Sequence, residues 1–166
     1  MIKLLVLDVD GVLTDGKIIY NEFGAETKNF HVRDGLGIKM AQKAGIDIAI
    51  ISGRKSKVTE LRANELKIEH VFTGVDNKLL CLRELCDKLG IDLSDEVAFI
   101  GDDINDISIL KECAFSGTVD DAPEYVKKNV HFISNFNGGN GAVREFIEAI
   151  LMRNGQWENI FKSYLA

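Results

Sequence analysis

Short, strongly apolar runs recur along this chain with helical patterns between them, and that alternation limits what it can fold into more than any other feature. The runs Lys3 to Asp8 (KLLVLD), Asp47 to Ser52 (DIAIIS), Glu69 to Phe72 (EHVF), Glu96 to Gly101 (EVAFIG), Ala114 to Gly117 (AFSG) and Val130 to Ile133 (VHFI) read as strands. Helices are expected over Gly35 to Lys43, Lys55 to Leu66, Lys78 to Lys88, Asn105 to Glu112, Ala122 to Lys127 and Gly141 to Met152. Strands apolar on both faces that alternate with helices predict a doubly wound, Rossmann-like α/β domain whose parallel sheet is covered on both sides. The exception is Lys17 to Val32, where two alternating runs flank Gly24 and predict a β-hairpin inserted after strand one. That position suits a flap. The 166 residues accommodate one such domain, 1–166, and no large cap domain, with Gly155 to Ala166 as an appended C-terminal tail. The glycine-rich stretch Asn135 to Gly141 (NFNGGNG) reads as a plain flexible loop, because Gly138, Gly139 and Gly141 follow no nucleotide-binding strand-turn-helix pattern.

Composition removes several function classes. Lys and Arg number 20 against 26 Asp and Glu, a net charge of −6, so the whole chain has no electrostatic reason to bind nucleic acid. No apolar run reaches the roughly 18 residues of a membrane span, and Asp8 and Asp10 fall where a secretory signal would stay apolar. A cytoplasmic protein with no membrane partner is expected. Cys81, Cys86 and Cys113 are odd in number, form no C-x-x-C pair and sit in apolar stretches, so they read as small hydrophobes. His31, His70 and His131 are too dispersed for a zinc site.

In an open parallel sheet, ligands bind beyond the carboxyl ends of the strands, and here those ends are rich in chemistry. The first ends in Asp8-Val9-Asp10-Gly11, the second in Ser52-Gly53-Arg54, the fourth in Gly101-Asp102-Asp103-Ile104-Asn105-Asp106. Asp8 and Asp10, two apart in extended chain, project from the same side. With Asp102 they offer oxygen ligands to one small hard cation, for which Mg2+ is expected. Metal neutralisation makes such crowding tolerable and brings an anionic phosphate beside an anionic nucleophile. The expected division of labour is Asp8 as nucleophile and Asp10 as general acid and base, with Asp102 joining Asp8 and the Asp10 backbone carbonyl on the metal. Ser52 and the Gly53 amide suit phosphate oxygens, and Lys78, at a helix start, can offset charge on the transferring group. Asp103 or Asp106 is left to orient that lysine or a metal-bound water. Plainer readings stand beside these: Ser52 as a helix N-cap, Lys78 as a solvated helix residue, and Asp103 and Asp106 as caps of the Asn105 helix.

This ordered set of D-x-D, Ser, Lys and G-D-D-x-x-D resembles the haloacid dehalogenase superfamily of aspartate-nucleophile phosphatases, over nearly the whole chain. More narrowly, DVDGVLTDG, NFHVRDGLGIK, ISGRKSKV, GDDINDISIL and GGNGAVREFIE are similar to the 3-deoxy-D-manno-octulosonate 8-phosphate (KDO 8-phosphate) phosphatase branch. That resemblance implies hydrolysis of a sugar-acid phosphate on the way to lipopolysaccharide, an uncapped site and a homotetramer with hairpins packed at its centre. Phosphatases of nine-carbon sialic-type acid phosphates share the catalytic set but tend to carry an acidic residue after the strand-two glycine. Here Arg54 stands there, with Arg62 beyond it, and an arginine fork matches a substrate carboxylate; pairing of either with Glu60, Glu65 or a neighbour's acid is the plainer reading. A phosphoacceptor signalling domain also combines Asp, hydroxyl and Lys, but its acceptor follows the third strand, where this chain has no obvious one. A catalytically silent binding module fits poorly, because every catalytic position is filled.

Overall fold

The computed structural model describes residues 1–165, so Ala166, the last residue of the expected tail, lies outside the described residues. In chain order the elements are β1 (Leu4–Leu7), β2 (Ile19–Tyr20), β3 (Glu26–Thr27), α1 (Val32–Lys43), β4 (Asp47–Ser52), α2 (Lys57–Glu65), β5 (His70–Thr73) and α3 (Lys78–Leu89). They continue with α4 (Leu93–Glu96), β6 (Val97–Ile100), α5 (Ile107–Glu112), β7 (Phe115–Thr118), α6 (Glu124–Lys127), β8 (Phe132–Ile133), α7 (Ala142–Arg153) and α8 (Trp157–Lys162). Six strands form one parallel sheet in the order β5-β4-β1-β6-β7-β8. The chain winds outward from β1 to β5, then restarts beside β1 with β6, so β1 and β6 flank the topological switch point where α/β sheets place their ligands.

The six apolar runs become the six strands, and the four inner ones are covered on both faces while the edge strands β5 and β8 are partly exposed. Every residue of β1, β6 and β7 is buried. One layer is α1 packed on α7, the other α3 packed on α5. Asp34 in α1 accepts a hydrogen bond from the Arg144 amide (2.9 Å) in the first turn of α7, whose own N-cap, Gly141, has no side chain to offer. Phe115 stacks on Phe146 at 5.2 Å, and a Cβ on Gly117 would come within 2.6 Å of the Phe146 ring.

Several expectations need correction. The hairpin is shorter than Lys17 to Val32: β2 and β3 pair two residues each around the Gly24 turn, and Val32 already belongs to α1. That helix starts three residues before Gly35 because His31 caps it, and its glycines persist inside it because Gly37 packs against the Arg144 backbone and side chain. The Asn105 helix opens as a tight turn over Ile104–Asp106, closed by an Asp103–Asp106 capping box. A short helix, α4, is additional; Asp92 and Glu96 bracket it in an N-cap pattern visible in the sequence. The tail folds into α8, with Ile160 buried. The Asn135 to Gly141 stretch is packed against the loop after β1: Gly139 N donates to Val12 O (2.9 Å), and a Cβ on Gly138 would fall 1.8 Å from Gly11 O. Gly138 and Gly139 serve close backbone approach.

Candidate active site at the strand ends

Asp8 follows β1 directly, and its amide donates to Ile100 O (3.1 Å), extending the sheet by one residue on the β6 side. Its carboxylate is therefore carried into the interior at the switch point. Lys78, the first residue of α3, reaches it from a helix held by Asn77, whose Oδ1 accepts from the Leu80 amide (3.0 Å). Lys78 Nζ donates to Asp8 Oδ1 (2.9 Å) and Asp106 Oδ1 (2.7 Å). Lysine is almost never fully buried unless paired, and this one has two carboxylates. Asp106 Oδ2 accepts the amides of Asp102 (3.0 Å) and Asp103 (3.3 Å), so Asp106 both steadies Lys78 and shapes the loop after β6.

Asp8, Asp102 and Asp106 each bring a carboxylate oxygen within 4.8 Å of the others. Burial, Asp102's own contact with Asp8 and repulsion from Asp106 push the Asp102 carboxyl up to about 8. Burial and the Asp106 charge raise Asp8 to about 6, with Lys78 pulling the other way. Burial opposes the charge on Lys78, yet Asp8 and Asp106 outweigh it and hold the ammonium above its usual range. One lysine is too little positive charge for three carboxylates. A hard divalent cation fits the remainder, because the donors are all oxygens and Asp106 is already committed to Lys78 and the backbone, leaving the second oxygen of Asp8 and the Asp102 carboxylate for it.

Asp10 is held from another direction. Lys28, just beyond β3, puts its Nζ 2.5 Å from Asp10 Oδ1 and 3.3 Å from Glu26 Oε1, with only 1% of its side chain exposed. Arg54 Nη2 donates to the same Glu26 oxygen (2.7 Å) and to Tyr20 Oη (3.3 Å), while Arg54 Nε stands 4.0 Å from Asp10 Oδ2. Burial opposes ionisation of Glu26, but Lys28 and Arg54 hold its carboxyl below the usual range. The loop that aims Asp10 turns at Gly11 (φ +85°), where any Cβ would strike Asp102 Oδ2 at 2.0 Å. Thr14 Oγ1 ties the turn by accepting the Gly11 and Gly16 amides.

Ser52 ends β4 with its side chain buried, while Ser56 caps α2, so the capping role belongs to Ser56. One cavity of about 280 Å³ is lined by Asp8, Asp10, Ser52, Gly53, Arg54, Lys78, Asp102 and Asp103. Asp106 is fully buried and does not line the cavity; it meets it through Lys78 and the Asp102 and Asp103 amides. Asp103 accepts from the Ile104 amide (2.7 Å) and the Tyr125 hydroxyl (3.0 Å). Arg62 is not brought to this cavity: it pairs with Glu65 (3.1 Å) and lies over the Phe30 ring, against Gly35. Sequence reasoning missed Lys28 and Glu26. Their signal was there, since residues two apart in a strand share a face, and a Glu-x-Lys pair beside an acidic loop has something to neutralise.

The parallel sheet with its switch-point carboxylates defines a class, and comparison agrees: the chain belongs to the haloacid dehalogenase-like hydrolases, whose family model matches residues 70–147. It is 41% identical over 155 residues to the 3-deoxy-D-manno-octulosonate 8-phosphate phosphatase KdsC of Salmonella typhi, covering 93% of this chain and 82% of that relative. The crystal structure of the Moraxella catarrhalis 3-deoxy-D-manno-octulosonate 8-phosphate phosphatase, in complex with magnesium ion, phosphate ion and KDO, superposes with a TM-score of 0.94. It is 44% identical, covering 98% of this chain and 93% of that one. A probable YrbI family phosphatase from Pseudomonas syringae gives a TM-score of 0.96 at 43% identity, covering 99% and 93%.

Proposed function

We propose that this protein is a Mg2+-dependent phosphatase that hydrolyses 3-deoxy-D-manno-octulosonate 8-phosphate to 3-deoxy-D-manno-octulosonate and inorganic phosphate. The observation that carries the reading is the convergence of Asp8, Asp10, Ser52, Lys78 and Asp102 on one cavity, in a chain so similar to phosphatases of that name. Asp8, Asp102 and the Asp10 carbonyl would hold the metal, which when bound neutralises carboxylate and phosphate charge. Asp8 attacks phosphorus and forms an aspartyl phosphate as the bond to the sugar oxygen breaks. Asp10 gives that oxygen a proton, then takes one from the water that releases phosphate and restores Asp8. Ser52 and the Gly53 amide hold the non-bridging oxygens, and Lys78 balances their charge. Arg54, which lines the cavity, donates to the sugar-acid carboxylate as well as to Glu26, so the two acids share its guanidinium.

The same reading makes residues 1–166 one catalytic domain of lipopolysaccharide biosynthesis in the cytoplasm. Among the described residues, no helix is long and apolar enough to cross a membrane. A homotetramer with the hairpin as its contact and flap is supported by Ile18, Tyr20 and Phe23, exposed apolar side chains on one short hairpin. Phosphate release across a panel of sugar phosphates, including eight- and nine-carbon acids, tests the assignment. The eight-carbon acid should be turned over fastest; equal rates on all would overturn the substrate while leaving the chemistry, and a preference for nine carbons would transfer it to sialic-type acids.

A further inference from the structure

Across Lys17 to Phe30 the usual pattern of burial is inverted. Ile18, Tyr20 and Phe23 face solvent, and only Lys28 is buried. A buried ammonium needs partners, and this one has the Asp10 and Glu26 carboxylates, the latter also bound to Arg54. Neither strand of the hairpin is long enough to be held by its own ladder, since β2 and β3 pair only two residues each. The ion cluster therefore ties the hairpin to the loop that carries Asp10, beside the Thr14–Phe30 bridge and the Asn29 to Asp15 hydrogen bond at the hairpin's base.

We propose that Lys28 is a positioning residue for proton transfer to the leaving group, acting through Asp10; the inference rests on the reading of Asp10 as general acid. The ammonium occupies Oδ1 and can only donate, which leaves Oδ2 to deliver the proton; among the described residues Oδ2 faces one cation, Arg54 Nε at 4.0 Å. Lys28 thus selects the oxygen and the side-chain rotation that face the scissile bond. When that bond breaks, its electron pair goes to the sugar oxygen, the Oδ2 proton follows, and Asp10 is left as a carboxylate against a cation already in place. The hairpin would in this way take part in the chemistry of its own chain, besides any part it has in closing a site.

The test is the dependence of kcat/KM on the leaving group, since kcat/KM covers formation of the aspartyl phosphate and a poor leaving group needs the proton most. Wild type, Lys28→Met, Lys28→Arg and Asp10→Asn are compared, all with Mg2+, on two esters without a carboxylate, glycerol 3-phosphate as the alkyl phosphate and 4-nitrophenyl phosphate as the aryl one. Lys28→Met should lose about 100-fold on the alkyl phosphate but under about tenfold on the aryl one, within the range general acid catalysis supplies. Lys28→Arg should regain part of the loss. Equal losses on both substrates for Lys28→Met, with Asp10→Asn still selective against the alkyl phosphate, would overturn the proposal and leave Lys28 a structural residue. Equal losses for Asp10→Asn would instead overturn the general-acid assignment. Thermal unfolding is followed for each variant, and Lys28→Gln replaces Lys28→Met if the latter does not fold.

Discussion

Asp8 and Asp10 are separated by one residue, yet they are neutralised by different parts of the molecule. Asp8 is buried and answered by Lys78 from the first turn of α3, with Asp106 behind it. Asp10 is partly exposed and answered by Lys28 and Arg54, both tied to Glu26 of the hairpin. The side facing phosphorus is thus built from the sheet and a core helix, which cannot shift without disturbing the interior. The side that the proposed mechanism turns to the leaving group, with Asp10, Lys28 and Arg54, depends on a two-strand insertion. Under the proposed mechanism, the phosphoryl chemistry would stay constant within one fold while the hairpin bears on which ester is cleaved.

That contrast can be broken by substitution. Asp8→Asn should abolish phosphate release, by at least about 10⁴-fold, because the nucleophile itself is lost; substantial residual turnover would remove Asp8 from that role. Lys78→Met comes next. It should cut activity and also destabilise the fold by about 3–5 kcal/mol at neutral pH, since it leaves Asp8 and Asp106 buried without their cation. Urea unfolding should show a smaller loss near pH 5, where a proton can take the cation's place. A loss that does not change with pH would mean that packing, not charge, is what Lys78 supplies.

The metal-free protein offers a pH test of the deep side. The carboxyls of Asp8 and Asp102 are raised to about 6 and about 8, so between their ordinary values and these the folded protein binds more protons than the unfolded chain. Stability in chelator should therefore fall as pH rises through that window and level off above it. Mg2+ must displace those protons, so its affinity should increase from pH 6 to 8 with proton release on binding, measurable by titration calorimetry in two buffers. A flat affinity over that range would contradict the assignment of Asp102 as a ligand. The smallest effects belong to the arginines: Arg54→Ala should raise KM roughly tenfold for the sugar-acid phosphate, the scale of one lost charged contact, and little for a phosphate ester without a carboxylate. Arg62→Ala should leave both within about twofold, as expected of an exposed ion pair away from the cavity.

Much of this was readable without coordinates. The four inner strands β1, β4, β6 and β7 were legible because a strand buried on both faces must be apolar throughout, and the acidic strand ends stood out because nothing structural calls for so many carboxylates there. Boundaries were less legible where capping prevailed over propensity. His31 starts α1 ahead of two glycines, and Asp103 with Asp106 tightens the turn before α5. The Gly138–Gly139 segment looked loose because glycine also marks flexible loops; only its approach to Gly11 and Thr14 explains why a side chain has no room there. Arg62 looked equivalent to Arg54 because both follow the same strand, but the direction of a side chain on α2 depends on where that helix packs.

By itself, the sequence determined the layered α/β plan and the residues with which a phosphate could react, because both are written in local patterns of apolarity and spacing. Tertiary structure decided which cation answers which carboxylate. Those partners are 70 residues apart for Lys78 and Asp8, and 18 for Lys28 and Asp10. Such pairing depends on where the switch point and the hairpin bring the chain back on itself, and Coulomb interactions between buried groups follow distance in space, to which separation along the chain gives no guide.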